Sequence, residues 1–489
     1  MYMQEDIADT RAISGVMSNL ANSTLMERGE RNRELRLIAR LERLPHLPFH
    51  SRIAFLLGTG LLLDGLDTLI ISVILTPVAN TFGASPASAG ILIAAGFAGQ
   101  ALGALIFGYF SERFGRKIPL VIALLICGLF SLGAAIAPSF QALLLLRALQ
   151  GIGLGACPPL SMTLFNEYIP GQRRGRNALL VQVYFSAGYM LASFLALLVF
   201  ALTRSASGWR ILFVIGALPL LIAPLIFFFA PESLRWLLVK RRTEQAEAIV
   251  TSLEQEAIQL KKAWVEQDGM EMPAQPAQQQ THLGELFSPR YRRRTFLTWV
   301  LWFSSFFILV GFSSWLPSLY INPGGLSEQQ SLLLTFCLGF GTLSLLAVYA
   351  FTVDQFGRKR WFVIGFALAA LGAIGGALLA GPLQAISWLK LALAGALMSL
   401  GAYICVSGAY LYTAELFPTR MRAWAISTGR SWSCAASIIA PIIIGILMNK
   451  HLSIAIVFAM LCALALPALL CVMLLGEETK QQILEKLSH

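Results

Sequence analysis

The stretch GYFSERFGRK, residues 108–117, comes back as AFTVDQFGRK at residues 350–359. Two further stretches return at nearly the same spacing. EYIPGQRR (167–174) answers to ELFPTRMR (415–422), and PESLRWLL (231–238) to EETKQQIL (477–484). Three matches at almost one offset imply a chain built from two similar halves. These polar landmarks lie between long apolar blocks at 54–79, 88–110, 118–137, 140–166, 178–203, 209–230, 295–320, 329–352, 361–380, 388–415, 424–448 and 453–475. A helix needs roughly 20 apolar residues to cross a hydrocarbon core of ~30 Å, and each block suffices. The expected fold is an all-α membrane protein of 12 transmembrane helices in two pseudo-symmetric six-helix bundles. Parallel repeats of this kind place a substrate site near the bilayer midplane, between the bundles.

Composition agrees. The 489 residues are 56% hydrophobic and 13% charged, against about 25% charged in a soluble domain. The net charge of +11 does not indicate nucleic acid. Most Lys and Arg lie in the N-terminal segment, the C-terminal tail and every second loop, the positive-inside bias that puts both termini in the cytoplasm. No signal peptide precedes the first block. The seven cysteines fall inside apolar blocks with no CxxC spacing, so they read as buried thiols and not as a metal site or disulfide frame. Neither metal nor cofactor is expected, and the partners are protons, a small-molecule substrate and the lipid bilayer, with the chain acting as a monomer.

The boundaries expected from this layout are a cytoplasmic N-terminal segment (1–53), an N-terminal bundle (54–230), a cytoplasmic linker (231–294), a C-terminal bundle (295–475) and a cytoplasmic tail (476–489). Within the linker, residues 242–267 are helix-forming and partly amphipathic, and 268–280 are Pro/Gln-rich.

The landmarks resemble the major facilitator superfamily over residues 50–482. Its loop motif G-x-x-x-D-R-x-G-R-K is met by Gly108, Arg113, Gly115, Arg116 and Lys117, with Glu112 in place of Asp. The second copy keeps Asp354, Gly357, Arg358 and Lys359, with Ala350 in place of Gly. Arg147, Gly151, Gly155 and Pro159 are similar to a helix-four motif of proton-linked members. LERLPHLPFHSRIAFLLGTGLLLDGLD (41–67), ELFSPRYRRR (285–294) and SSWLPSLYI (313–321) resemble the metabolite and aromatic-acid:proton symporters, near the niacin-transporter and synaptic-vesicle-protein-like branch. A D-G-x-D in helix one is typical of the aromatic-acid group and matches Asp64 and Asp67.

Those two aspartates stand in hydrocarbon, where an ionised carboxylate costs roughly 2.5–3.5 kcal/mol even on insertion scales. Asp64 lies near the midplane and Asp67 one turn on, on about the same face. Burial and mutual repulsion both disfavour two charges, so the pair is expected to share a proton near neutral pH. Asp64 is the favoured coupling group; the alternative is a fixed structural acceptor. Two arginines are also embedded, and a guanidinium stays charged. Arg147 is expected to pair with Asp64 or Asp67, as structure or as part of proton coupling. Arg430, in STGRSWS (427–433), is either an anchor for a substrate carboxylate or a pairing residue. None of the five histidines is in mid-membrane.

Further substrate-site candidates are Gln100, Tyr184, Tyr189, Trp315, Tyr403, Tyr410 and Trp432, whose rings or polar groups could meet an aromatic substrate. Each is weighed against simple packing; Trp315 is favoured because helix seven faces the cavity in the resembled family. Gly99 and Gly103 form a GxxxG suited to close helix packing. From the resemblance, Glu112, Arg113, Arg116, Glu167, Asp354, Arg358, Glu415 and Arg420 form a cytoplasmic gate, Glu167 pairing with Arg116 and Glu415 with Arg358.

The resulting expectation is a secondary active transporter of the cell inner membrane: proton-coupled uptake of an aromatic or heteroaromatic carboxylate, such as nicotinate or a benzoate-type acid, by alternating access. A sugar carrier, an organic-cation carrier or a drug:proton antiporter are the alternatives. No G-x-x-x-x-G-K-[ST] supports an ATP-driven pump, and no nucleophile or metal constellation supports an enzyme.

Overall fold

The computed structural model describes residues 33–479 other than 35, 42, 46, 169–173, 204–205, 261–281, 323, 380–386, 419–420 and 451, with side chains omitted also at 174–182, 206 and 423. Among the described residues there are helices and no strand, and 12 helices are long and apolar enough to cross a membrane. The first six are α1 (Pro48–Val73), α2 (Pro86–Phe114), α3 (Lys117–Ala135), α4 (Phe140–Tyr168), α5 (Arg174–Thr203) and α6 (Trp209–Phe229). The second six are α7 (Arg292–Ile321), α8 (Glu328–Phe356), α9 (Arg358–Leu379), α10 (Trp388–Leu416), α11 (Arg422–Asn449) and α12 (Ile454–Leu475).

The helices start and stop for local reasons. Span α1 begins at Pro48, ahead of the expected residue 54, because proline suits a first turn whose N–H has no partner anyway. It ends at Val73, and a separate helix, Leu75–Phe82, follows; Pro77 has no N–H to continue the ladder. The apolar block 54–79 is therefore two helices. Span α6 is also broken, into Trp209–Ile215 and Pro219–Phe229, because Pro219 cannot bond back to Ile215. Ser85 and Ser327 cap α2 and α8 by accepting from Ser88 N and Gln330 N.

Small residues set how close the spans lie. A Cβ on Gly99 or Gly103 of α2 would meet the Ala148 or Ile152 carbonyl of α4 at 2.0 Å, and one on Gly155 would meet the Gln100 carbonyl at 1.9 Å. The GxxxG thus does pack α2 backbone-to-backbone on α4. The bundles touch each other away from the termini. Thr76 Oγ1 lies 3.1 Å from Ser318 Oγ, and a Cβ on Gly90 of α2 would meet the Pro441 carbonyl of α11 at 2.5 Å.

Of the linker, the amphipathic stretch is a helix over Thr243–Gln259 with Ala246, Val250, Leu253 and Ala257 buried; the Pro/Gln-rich part lies outside the described residues. That buried stripe packs with Leu37, Leu41 and Leu44 of the N-terminal segment. Arg33 pairs with Glu247, Arg40 with Glu254, and Arg52 with Glu256. A short helix, Leu234–Val239, joins this cluster through Trp236 and Leu237.

Candidate functional site

Three side chains meet in the middle of the first bundle. Arg147 Nη1 donates to Asp67 Oδ2 at 2.8 Å and to Gln150 Oε1 at 2.9 Å, and Gln150 Nε2 donates to Asp67 Oδ1 at 2.7 Å. Both carboxylate oxygens are used, and the three residues are 1% (Asp67), 3% (Arg147) and 0% (Gln150) exposed. Helical spacing makes this possible: Arg147 and Gln150 are three apart on α4 and share a face. Phe213 of α6 covers the guanidinium at 5.9 Å. The break in α6 sits behind the carboxylate, since a Cβ on Gly216 would reach Asp67 Oδ1 at 3.4 Å.

Asp64 is buried one turn away and, among the described residues, has no side-chain hydrogen bond. The charge it feels from the other bundle is Arg430 of α11. Arg430 lies over the Phe306 ring at 5.7 Å, with the Tyr410 phenol close by. Trp302 closes the group: it stacks parallel on Phe306 at 5.8 Å, meets Tyr410 edge-on at 4.5 Å and donates to Thr413 Oγ1 at 3.0 Å. One guanidinium is therefore set at a cluster of three rings.

The other substrate candidates scatter. Tyr403 of α10 bonds Ser186 and so ties α5 to the second bundle, and Tyr189 of α5 stands near Ser313 of α7. Tyr184 lies against Gly58 of α1, and Gln100 is half-buried on α2 with its carbonyl facing Gly155. Trp315 is in the core and donates to the Pro441 carbonyl at 3.3 Å, a packing position. Trp432 does not join Arg430: two residues apart on a helix is about 200° of rotation, and Trp432 packs instead with Trp299 and Phe303.

At the termini side the two halves carry matching carboxylate clips. Glu232 Oε1 accepts from Arg116 N at 2.7 Å and Lys117 N at 3.1 Å; Glu478 Oε1 accepts from Arg358 N at 2.8 Å. Each caps the exposed N–H groups of a helix start, α3 or α9. Gly115 and Gly357, at φ +96° and +94°, leave room: a Cβ there would meet the Glu232 or Glu478 carboxylate at 2.3 or 2.4 Å. The phenol of Tyr168 donates to the Glu232 carbonyl, and that of Tyr412 to the Glu477 carbonyl.

The expected gate forms only in part. Arg358 pairs with Glu415 at 2.9 Å and with Asp354 at 2.8 Å. The Glu167–Arg116 pair is corrected. Glu167 accepts from Ser233 Oγ and Arg235 N, while Arg116 Nη1 donates to the Ser111 carbonyl at 2.6 Å. Each group has thus found a nearer partner at its own helix end. Glu112 and Arg113 are exposed, Arg113 over Phe114, and Arg420 lies outside the described residues.

Residues 53–489 match the model of a family described as sugar (and other) transporter. The chain belongs to this transporter family. Among relatives of this sugar (and other) transporter chain, it is 32% identical over 458 residues to the niacin transporter NiaP of Acinetobacter baylyi, covering 92% of this chain and 99% of that one. It is 32% identical over 394 residues to the 4-hydroxybenzoate transporter PcaK of the same organism, covering 78% and 82%. The xylose transporter XylE from E. coli shares the fold, with a TM-score of 0.69 at 22% identity over 89% of this chain and 99% of that one. That is the major facilitator fold of 12 spans in two bundles, and its members are transporters, not enzymes.

Within this family member, sequence reading missed Gln150, Trp302, Thr413, Glu232 and Glu478 as site residues. Gln150 carried a signal in its i+3 spacing from Arg147. The two glutamates stand in landmarks already paired by the repeat offset. Nothing in the sequence marked Trp302 off from the other tryptophans.

Proposed function

We propose that this transporter carries a small aromatic or heteroaromatic carboxylate into the cell with protons, by alternating access of a site between the bundles. The observation that carries the reading is Arg430 set over Phe306 and beside Tyr410 and Trp302. A guanidinium offers two parallel N–H donors to a carboxylate, and the rings offer flat apolar faces to an aromatic body. The names of two relatives, a niacin transporter and a 4-hydroxybenzoate transporter, fit that chemistry.

Asp64 is the proton carrier in this reading. Asp67 is held on both oxygens by Arg147 and Gln150, so it serves as a fixed anion, whereas Asp64 has no such bonds to hold it charged. The chain is placed in the cell inner membrane as a monomer with both termini cytoplasmic. The contacts Thr76–Ser318 and Gly90–Pro441 then close the outer face, and outward opening must part them.

Purified protein in proteoliposomes tests this. Labelled nicotinate and 4-hydroxybenzoate are expected to accumulate when the outside is acid, and not without a pH gradient. Accumulation of xylose or a quaternary amine in their place would overturn the substrate class.

A further inference from the structure

Among the described residues one non-glycine holds a left-handed backbone: Arg241, at φ +57°. It stands where the short helix Leu234–Val239 turns into the linker helix Thr243–Gln259. Arg242 N donates to the Leu237 carbonyl at 2.8 Å, and Arg241 N to the Leu238 carbonyl at 2.9 Å. That pair of bonds is a Schellman helix ending. Its left-handed position ordinarily belongs to glycine, which has no Cβ to oppose the fold-back. Arginine destabilises the turn there, and the bonds that close it run from backbone to backbone. A residue that weakens its own turn points to a use for its side chain.

The surroundings of the turn define that use. Val239 is 78% exposed, and Arg235, Lys240, Arg241 and Arg242 are exposed beside it, with the Arg242 guanidinium 5.3 Å from the Trp236 ring. Most acids close by are committed. Glu232 clips the start of α3, Glu167 accepts from Ser233 Oγ and Arg235 N, and Glu247 pairs with Arg33. Glu244, in the first turn of the linker helix, then stands against four basic side chains, so the patch is positive. The turn is also held beside the bilayer surface. Trp236 Nε1 donates to the Glu112 carbonyl in the last turn of α2 at 3.0 Å. Phe228 and Phe229, at the end of α6, are 74% and 68% exposed, and aromatic rings at the end of a span sit at the lipid interface.

We infer that the turn at residues 239–242 is a headgroup site for an anionic phospholipid: Lys240 and Arg241 meet the phosphate, and Val239 enters the boundary between headgroups and acyl chains. Bound lipid pins the start of the linker to the bilayer surface. A basic side chain beside a span gains roughly fivefold in affinity from an anionic surface, and an exposed valine adds an apolar contact. The site is a property of the turn and does not depend on which substrate the chain carries. A soluble phosphate ester offers the same charge without the surface, and an acidic polypeptide offers it in another form, so both enter the test as competitors.

The test uses the full-length protein, stripped of lipid in neutral detergent. Phosphatidylglycerol and phosphatidylcholine carrying a photoreactive group near the headgroup are titrated in, and labelling of the turn is mapped by peptide mass spectrometry. The unfolding midpoint is read without lipid. Expected for the wild type is half-saturation of the turn at about tenfold lower phosphatidylglycerol than phosphatidylcholine, a preference that vanishes near 1 M salt. Arg241→Gly should raise the lipid-free midpoint, because glycine fits the left-handed position, and yet need about fivefold more phosphatidylglycerol. Lys240→Gln/Arg241→Gly should need about 25-fold more. Arg241→Gln should lose lipid as Arg241→Gly does, without the gain in midpoint. A purely structural arginine would lose stability, not gain it, on change to glycine. Glycerol 3-phosphate should leave labelling unchanged. Equal labelling by both lipids, unchanged half-saturation in Arg241→Gly and Arg241→Gln, or a lower midpoint in Arg241→Gly would overturn the inference. Full competition by glycerol 3-phosphate or by polyglutamate would overturn it too, assigning the patch to a soluble phosphate or to an acidic polypeptide.

Discussion

Gln150 and Asp67 are joined at 2.7 Å across α4 and α1, and the same glutamine accepts from Arg147 at 2.9 Å. The amide thus occupies the carboxylate oxygen that the arginine does not reach. Two aspartates three residues apart therefore differ in kind: one is bonded on both oxygens, the other is not.

Breaking this triad should damage the fold before it damages coupling. Asp67→Asn leaves a buried guanidinium without its counter-charge, which costs about 3–5 kcal/mol. Gln150→Leu leaves one Asp67 oxygen unsatisfied, at about 1–3 kcal/mol. The double variant Asp67→Asn/Arg147→Gln should recover part of the loss, because no lone charge remains. Thermal unfolding in detergent checks this. Equal midpoints for wild type and Asp67→Asn would show that the pair does not hold α1 to α4.

The two carboxylate clips make a second prediction. Gly115 and Gly357 adopt a backbone region that essentially only glycine uses, at about 1–3 kcal/mol for any other residue, and a Cβ would also collide with Glu232 or Glu478. Gly115→Ala and Gly357→Ala should each lower the unfolding midpoint. Glu232→Gln and Glu478→Gln should do so less, since an amide oxygen still accepts from the helix start. A destabilisation from glutamine as large as that from alanine would mean the carboxylate charge matters more than the space.

How far the sequence reached depended on whether a feature was periodic or relational. Twelve spans, the two bundles and the amphipathic linker helix follow from hydrophobic length and repeat spacing, and the structure has them. The breaks at Ile74 and Gly216–Leu218 were hidden because a proline one turn inside a helix has little effect on the apolar count. Embedded charges were visible as charges. Which aspartate meets Arg147 was not, because Asp64 and Asp67 share a face and only the height of α4 against α1 separates them. The placing of Trp432 away from Arg430 could have been read from a spacing of two on a helix.

The contact between the N-terminal segment and the linker helix should be sensitive to acid and salt. Arg33 beside Glu247 holds that carboxyl below its ordinary value. A depressed carboxyl adds stability that is fully present above the unfolded-state value and lost as pH falls through the folded one. Docking is thus intact at neutral pH and weakens in strongly acid solution. Because both side chains are solvated, salt near 1 M should weaken it too. Cross-linking between cysteines placed at residues 37 and 250 reads the docking. Yields unchanged by either treatment would assign it to the remaining apolar stripe, Leu41, Leu44 and Leu253.

Arg430 should not tolerate lysine. An ammonium keeps the charge but is a point donor and cannot give the planar pair of bonds or lie flat over Phe306. Arg430→Lys is expected to weaken 4-hydroxybenzoate binding at least tenfold, and Arg430→Gln more, since truncating one side of a buried charge pair costs about 2–5 kcal/mol. Trp302→Phe keeps a ring against Phe306 but removes the bond to Thr413, and should shift affinity less than Arg430→Lys does. Titration of each purified variant with 4-hydroxybenzoate separates these outcomes. Full affinity in Arg430→Lys would mean that charge alone, without the guanidinium plane, holds the substrate.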